Sequence, residues 1–201
     1  MKRLSVLLLC LALIATLSAC GKQPTAEIEA ARTAIDATVA DGAEKFTPEE
    51  LKALNDQLAA ALEEIKVQDG KTFKSYDQSK NALLKVTADA EALKARIVTV
   101  KEEQQTAAAT ALQEATAAID EAKAMLAVAP VGKGSLADIE MMKADVAGLE
   151  IALTEVQPLI DSEEFVAASE KATAIKEKAL SVSEEIRIAQ EKAAAAEVVT
   201  K

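Results

Sequence analysis

From Thr72 to Ala129 the chain contains neither glycine nor proline, the two residues that most readily interrupt a helix. The chain is rich in alanine, glutamate, lysine and leucine, a composition typical of long helices and coiled coils. Apolar residues in this stretch recur at spacings of three and four, which places them on one face of a helix. The sequence therefore predicts an all-α fold with coiled-coil-like packing. The expected buried residues are Val86, Ala90, Leu93, Ile97 and Val100, followed by Leu112, Ala115, Ile119, Ala122 and Leu126.

The first half of the chain also carries recognisable helix boundaries. Thr47 can cap a helix, Pro48 suits the first helical position, and Glu50 can complete a capping box with Thr47. Asp69 and Gly70 are expected to end this helix. Its buried face is predicted to consist of Leu51, Leu54, Leu58, Leu62 and Ile65.

The second half repeats the same order of signals. Residues 129–135 combine one proline with two glycines and are predicted to form a loop. Ser135 and Asp138 then repeat the cap pattern of Thr47 and Glu50. The helix that follows is expected to bury Ile139, Met142, Val146, Leu149, Leu153 and Val156.

Two further signals subdivide this half. Gly148 weakens the helix locally, and Pro158 is expected to stop it. Asp161 with Glu164 can start the last helix. The buried residues of that helix are predicted to be Ile175, Ala179, Val182, Ile186 and Ala189.

The two halves align with each other. Residues 31–36 match residues 115–120, residues 51–58 match residues 139–146, and residues 76–97 match residues 165–186. The order of caps, loops and apolar stripes is the same in both, and the small changes in spacing fall in the expected loops. We interpret this as an internal duplication, with residues 26–104 and 105–201 as the two copies.

Each copy supplies three helices, and short loops favour antiparallel neighbours. The sequence therefore predicts two tandem up-down-up three-helix bundles. The third helix of the first bundle is expected to continue without a break into the second bundle, giving an extended rod. A kink between Gln104 and Thr110, where the apolar stripe weakens, is the alternative and would produce one compact bundle.

Residues 1–19 have the parts of a secretory signal. Lys2 and Arg3 precede an apolar run of about a dozen residues, shorter than the roughly 20 that a membrane-spanning helix needs. Small residues then precede Cys20 in the sequence Leu17-Ser18-Ala19-Cys20. An ordinary signal cleaved near Ala19 and an uncleaved anchor are the alternatives to a lipoprotein signal.

This tetrad resembles the lipobox of bacterial lipoproteins. The resemblance implies that the Cys20 thiol receives a diacylglycerol, that the chain is cut before Cys20, and that the membrane becomes its partner through the lipid. Gly21 after the cysteine implies the outer membrane, facing the periplasm, if the organism has two membranes. Residues 20–25 would then be a short lipidated tether.

Composition removes several classes of function. There is no histidine, and Cys10 lies in the expected signal, so the mature chain has one cysteine and no disulfide. We expect no metal and no cofactor. The net charge of −10 makes nucleic acid an improbable partner. Residues 66–101 are the exception, with eight basic residues against four acidic ones, and they are either a docking surface or a solvated helix face.

The stretch from Gly42 to Leu51 resembles a recurrent helical domain of bacterial envelope lipoproteins. That family shares a Gly-Ala-x-x-aromatic-x-Pro-Glu-Glu-Leu core, which here includes Phe46 before the Thr47 cap. The resemblance covers about residues 26–100 and implies an envelope location and a helical fold, with no activity to transfer. The residues themselves indicate a helix-entry device in which Phe46 packs against the first turn.

These observations favour a non-enzymatic, lipid-anchored spacer, scaffold or adaptor that binds another protein through its helices. Two alternatives stay open: attachment to peptidoglycan through the C-terminal Lys201, as in the major helical lipoprotein of enteric bacteria, and a carrier of lipid or small ligands. The adjacent acids Glu49-Glu50, Glu63-Glu64 and Glu184-Glu185 are the candidates for acid/base chemistry, and solvated helix faces explain them better.

Overall fold

The computed structural model describes residues 21–129 and 136–199, and every regular element in these ranges is an α-helix. The expected all-α fold class is therefore confirmed. We number the helices in chain order: α1 Thr25–Ala40, α2 Ala43–Phe46, α3 Pro48–Asp69, α4 Asp77–Ala127, α5 Leu136–Thr154, α6 Val156–Asp161 and α7 Phe165–Val199.

Helix α4 is helical throughout, including residues 104–110, where the apolar stripe weakens. The described chain divides into two compact units, with the boundary inside α4 between Lys101 and Glu102. The first unit contains α1 to α3 and the beginning of α4, and the second contains the rest of α4 with α5 to α7. The arrangement as two tandem up-down-up bundles, and the choice between rod and compact bundle, stay predictions.

In the first unit, α1 packs against α3 through small and apolar residues. Ala31, Ala34 and Ile35 face inward from α1, while Leu51, Leu54 and Ile65 do so from α3. The Nζ atom of Lys80 on α4 lies 2.9 Å from Oε1 of Glu27 on α1. In the second unit, α5 and α6 pack against α7, and the Gln190 amide of α7 donates to the Met125 carbonyl of α4 at 3.1 Å.

The core follows a regular spacing that is the same in both units. Seven buried positions along α4 and the residue before it alternate at steps of three and four, as in a coiled coil. They are Tyr76, Ser79, Leu83, Val86, Ala90, Leu93 and Ile97. The helix α7 buries seven positions with identical steps: Phe165, Ala168, Ala172, Ile175, Ala179, Val182 and Ile186. The interpretation as an internal duplication stays a prediction.

The predicted capping box at the start of α3 is wrong. Pro48 does occupy the first turn and Thr47 is the N-cap residue, but its side chain makes no capping hydrogen bond. The buried Thr47 hydroxyl instead donates backwards to the Ala43 carbonyl at 3.5 Å. The Ala43 carbonyl also accepts the Thr47 N–H at 2.9 Å, so this residue bonds back to α2 through both its backbone and its side chain.

The prediction that Pro158 stops a helix is also wrong. The break falls at Glu155, and Pro158 lies within the short helix α6. Proline is tolerated there because the N–H groups of the first turn of a helix have no carbonyl partner in the helix. The last helix begins at Phe165, and Asp161 ends α6 instead of helping to start α7. Between them Glu163 has φ 62°, and the Glu164 N–H donates to the Leu159 carbonyl at 2.8 Å.

Gly42 and Gly148 differ in whether the structure has room for a side chain at their positions. Gly42 has φ 97°, and a Cβ built there would lie 3.1 Å from Cδ2 of Phe46. Gly148 lies inside α5, where a Cβ would meet nothing within 4 Å. Gly42 is therefore required by the backbone, whereas Gly148 only adds freedom to the unfolded chain.

We expect these two sites to respond in opposite directions to alanine. Gly42→Ala should lower the free energy of unfolding by about 1–2 kcal/mol, because a residue with a Cβ is disfavoured at positive φ. Gly148→Ala should raise it by about 1 kcal/mol through improved helix propensity. Urea unfolding followed by circular dichroism measures both, and a stabilising Gly42→Ala would contradict a structural role for the Gly42–Leu51 segment.

Candidate functional site

The two residues to which the sequence assigns chemistry, Cys20 and Lys201, lie outside the described residues, so both assignments stay predictions. The first described residues are Gly21 to Pro24, which lead directly into α1. These four residues therefore show how the expected tether contacts the first unit.

Asp69, the last residue of α3, is the centre of a polar cluster at this point. Its Oδ2 atom accepts a hydrogen bond of 2.7 Å from the Gln23 amide. The Tyr76 hydroxyl donates to its other oxygen, Oδ1, and the Lys74 ammonium lies 4.0 Å from the same oxygen. Three segments, the tether, the end of α3 and the start of α4, are thus joined through one carboxylate.

The cluster shifts the pKa values of Asp69 and Tyr76 in opposite directions. The hydrogen bond from Tyr76 lowers the pKa of Asp69, and Gln23 and Lys74 act in the same direction. The same hydrogen bond raises the pKa of Tyr76, and burial of the ring adds to this increase. The Asp69 contribution to stability is therefore present above its unfolded pKa and is lost as the pH falls through the folded value. The Tyr76 contribution is lost as the pH rises through its folded value.

Residues 70–76 form the connection between α3 and α4, which we call the 70–76 turn. It is held at both ends, because the Lys71 N–H donates to the Gln68 carbonyl at 3.0 Å and the Ser75 N–H donates to the Gln68 side chain at 3.3 Å. Phe73, between these ends, is 92% exposed. Phe46, Tyr76 and Phe165, the other aromatic residues, are all buried.

Basic residues flank this exposed ring in the sequence. Residues 66–80 contain four lysines and two aspartates, in a chain whose net charge is −10. One of the two aspartates is Asp69, which is already engaged by Gln23, Tyr76 and Lys74. Lys22 adds a further exposed cation on the segment leading to α1.

The sequence pattern indicates the basic residues of this region and aligns Tyr76 with Phe165. It indicates neither the exposure of Phe73 nor the contacts of Asp69 with Gln23 and Tyr76. A signal was nevertheless present, because Phe73 lies between Lys71 and Lys74 just after the glycine that follows α3. An aromatic residue flanked by lysines in a turn suits an apolar surface bordered by negative charge.

The remaining surface features are shallow. A groove between α3 and α4 has a volume of about 370 Å³ and borders Ser79, whose buried hydroxyl lacks a hydrogen-bond partner among the described residues. A second groove, between α1 and α4, has a volume of about 530 Å³ and is lined by alanines, threonines, two glutamates and a lysine. Both are open furrows, unlike the enclosed sites that usually hold small ligands.

Helix α5 of the second unit differs from α3 in its outward face. Met141 and Ile151 are 61% and 67% exposed, and Gly148 is exposed between them. By the alignment of the two halves, Ile151 occupies the position of Glu63 on α3, where an exposed ion pair with Lys66 at 2.9 Å covers the surface. The α5 face, formed by Met141, Gly148 and Ile151, thus exposes two large apolar side chains where the aligned positions of α3 hold Ala53, Ala60 and Glu63.

The acidic pairs are arranged as solvated helix faces. Glu49 and Glu50 are exposed in the first turn of α3. Glu63 pairs with Lys66, and Glu184 accepts hydrogen bonds from Arg187, which lower its pKa. A catalytic acid would require a raised pKa. Within residues 21–129 and 136–199, no three histidine, cysteine, aspartate or glutamate side chains gather closely enough to hold a metal ion.

Among the helices that the structure describes, none combines the length and the apolar character needed to cross a membrane. No family model, curated protein or solved structure matches the chain.

The Asp69–Tyr76 pair can be tested directly, because Tyr76 is the only tyrosine of the chain. We expect a spectrophotometric titration of tyrosinate to give a pKa above the ordinary value of about 10. Asp69→Asn should return it towards that value, since the charged acceptor is lost. Asp56→Asn, which removes a carboxylate elsewhere on α3, should leave it unchanged; an equal effect of both variants would contradict a specific hydrogen bond.

Proposed function

We propose that the protein is a cell-envelope lipoprotein anchored through lipid on Cys20. The observation that carries this proposal is the tetrad Leu17-Ser18-Ala19-Cys20 after a charged start and an apolar run, followed within five residues by a folded helix. Two or three acyl chains hold a protein at a membrane far more firmly than one, because each buried methylene contributes about 0.8 kcal/mol. The first unit would then lie next to the lipid headgroups.

The proposed location is the outer membrane, facing the periplasm, where the organism has two membranes. Gly21 supports this through the sorting habit of the lipoproteins that the tetrad resembles. A Cβ at position 21 would meet nothing within 4 Å, so this position tolerates substitution without disturbing the fold. Gly21→Asp is expected to redirect the protein to the inner membrane.

The two cysteines of the chain provide a matched test of the anchor. Cys20→Ser should abolish incorporation of labelled palmitate and move the protein from the detergent phase to the aqueous phase, because serine cannot form the thioether. Cys10→Ser, within the expected signal, should change neither measurement. Palmitate incorporation that survives Cys20→Ser would refute the proposal.

We propose further that the anchored protein is a non-catalytic spacer or adaptor. The α5 face supports a protein partner, because it exposes Met141 and Ile151, the second at the position where α3 carries the charged Glu63. Exposed apolar side chains at the centre of a protein interface contribute most of its binding energy. The spacer role is supported by α4, which is one helix of 51 residues.

A photo-crosslinking residue tests the partner at two equivalent positions. Placed at Ile151, it should give a discrete protein adduct in intact envelopes, and the adduct should disappear when Met141→Glu is added. Placed at Glu63, the corresponding position on α3, it should give none. The same adducts from both positions would argue against a role for the α5 face.

A further inference from the structure

We propose that the 70–76 turn is a second membrane contact, in which Phe73 inserts into the interfacial layer of a bilayer and the surrounding lysines contact anionic lipid headgroups. This inference rests on the proposed lipidation of Cys20 for its biological setting. The geometry of the turn comes from the structure and does not depend on whether the cell attaches the lipid.

The hydrogen bond between Gln23 and Asp69 holds the tether beside the 70–76 turn. It joins the tether to the residue that immediately precedes the 70–76 turn, at 2.7 Å. Cys20 lies three residues before Gln23, so the Cα atoms of the two residues can be at most about 11 Å apart. The turn is therefore held near the bilayer by the attachment itself.

The exposure of Phe73 is the second observation. This ring is 92% exposed, although every other aromatic side chain of the protein is buried. The turn that presents it is fixed, because Tyr76 is bonded to Asp69 at one end and Lys71 is bonded to Gln68 at the other. A rigid turn with a single projecting aromatic ring suits the interface between water and lipid, where aromatic side chains are enriched.

Charge identifies the lipid chemistry. Lys71 and Lys74 flank Phe73 in the turn and are exposed, Lys22 is exposed on the tether, and Lys66 and Lys80 lie on the flanking helices. Three of these lysines have a carboxylate neighbour, since Lys66 pairs with Glu63 and Lys80 with Glu27, each at 2.9 Å, and Lys74 lies 4.0 Å from Asp69. Asp69 also accepts hydrogen bonds from Gln23 and Tyr76, so its charge is shared among several donors. Clustered lysines beside a bilayer are attracted to anionic headgroups.

The second unit lacks this combination at its corresponding connection. Ser162, Glu163 and Glu164 precede α7 there, and the aromatic residue that follows them, Phe165, is buried. Phe165 corresponds to Tyr76 in the alignment of the two halves. The basic turn with an exposed ring thus occurs in the unit that carries the tether. This is the unit that the proposed anchor would hold next to the membrane.

The chain contains no tryptophan, so Phe73→Trp introduces a single reporter. The full lipoprotein is purified and reconstituted into vesicles of phosphatidylcholine with phosphatidylglycerol. We expect the emission of Trp at position 73 to shift to shorter wavelength and to be quenched by brominated lipids. Vesicles without phosphatidylglycerol, or the double variant Lys71→Glu with Lys74→Glu, should reduce both effects, and so should high salt.

Val98→Trp provides the matched control. Val98 is 56% exposed and lies on α4, 21 residues after Asp77, or about 32 Å along the helix. Its emission should remain that of a residue in water. Equal quenching at both positions, an emission at position 73 that stays unchanged in vesicles, or one that shifts only when envelope proteins are added would each overturn the proposal.

Failure of the lipid anchor is distinguishable from failure of the membrane contact. The mature chain has one cysteine, so unacylated protein can be coupled through Cys20 to vesicles bearing a maleimide lipid. Quenching at position 73 in coupled protein, together with no palmitate incorporation in cells, would support the contact and refute the natural anchor. No quenching in coupled protein would refute the contact whatever the palmitate result.

Discussion

Close approach of helices through small side chains is the constraint on which both units depend. Alanine occupies inward positions such as Ala31, Ala90, Ala115 and Ala179, and a larger residue at these sites would force the helices apart. Because alanine buries little apolar area, the few large core residues, among them Leu83 and Ile186, must supply much of the hydrophobic stabilisation. The features that differ between the two units therefore lie in the turns and on the outward faces of the helices.

The two units illustrate this division. Their buried positions follow the same steps along α4 and α7, yet their surfaces have diverged. The first unit carries a basic turn with the exposed Phe73, whereas the second carries an acidic turn and the apolar face of α5 around Ile151. Surface residues can change without disturbing the helices beneath them, so two units with the same buried spacing can carry different surfaces.

Much of the helical framework could be predicted from the sequence, because periodicity and helix breakers act locally. The start of α3 at Pro48, its end at Asp69 and the burial of Leu93 and Ile186 were all readable. The side-chain capping bond of Thr47 and the stop at Pro158 were predicted wrongly. The Thr47 hydroxyl bonds to a carbonyl of α2, and Pro158 lies in the first turn of a new helix. Of the candidate site, the sequence predicted Cys20, but the cluster around Asp69 depends on contacts between residues 46 positions apart, which no local pattern specifies.

The start of α1, where the tether joins the first unit, and Lys101, where α4 leaves it, determine the direction of a pulling force on this unit. Chain attached to a membrane at Cys20 would pull on the first unit at the start of α1, while α4 leaves that unit at Lys101, about 36 Å further along its axis from Asp77. The load would thus run parallel to the helices. Contacts between α1 and its neighbours would have to slide together instead of peeling apart one turn at a time, and a bundle loaded in shear resists extraction by force better than one that is unzipped.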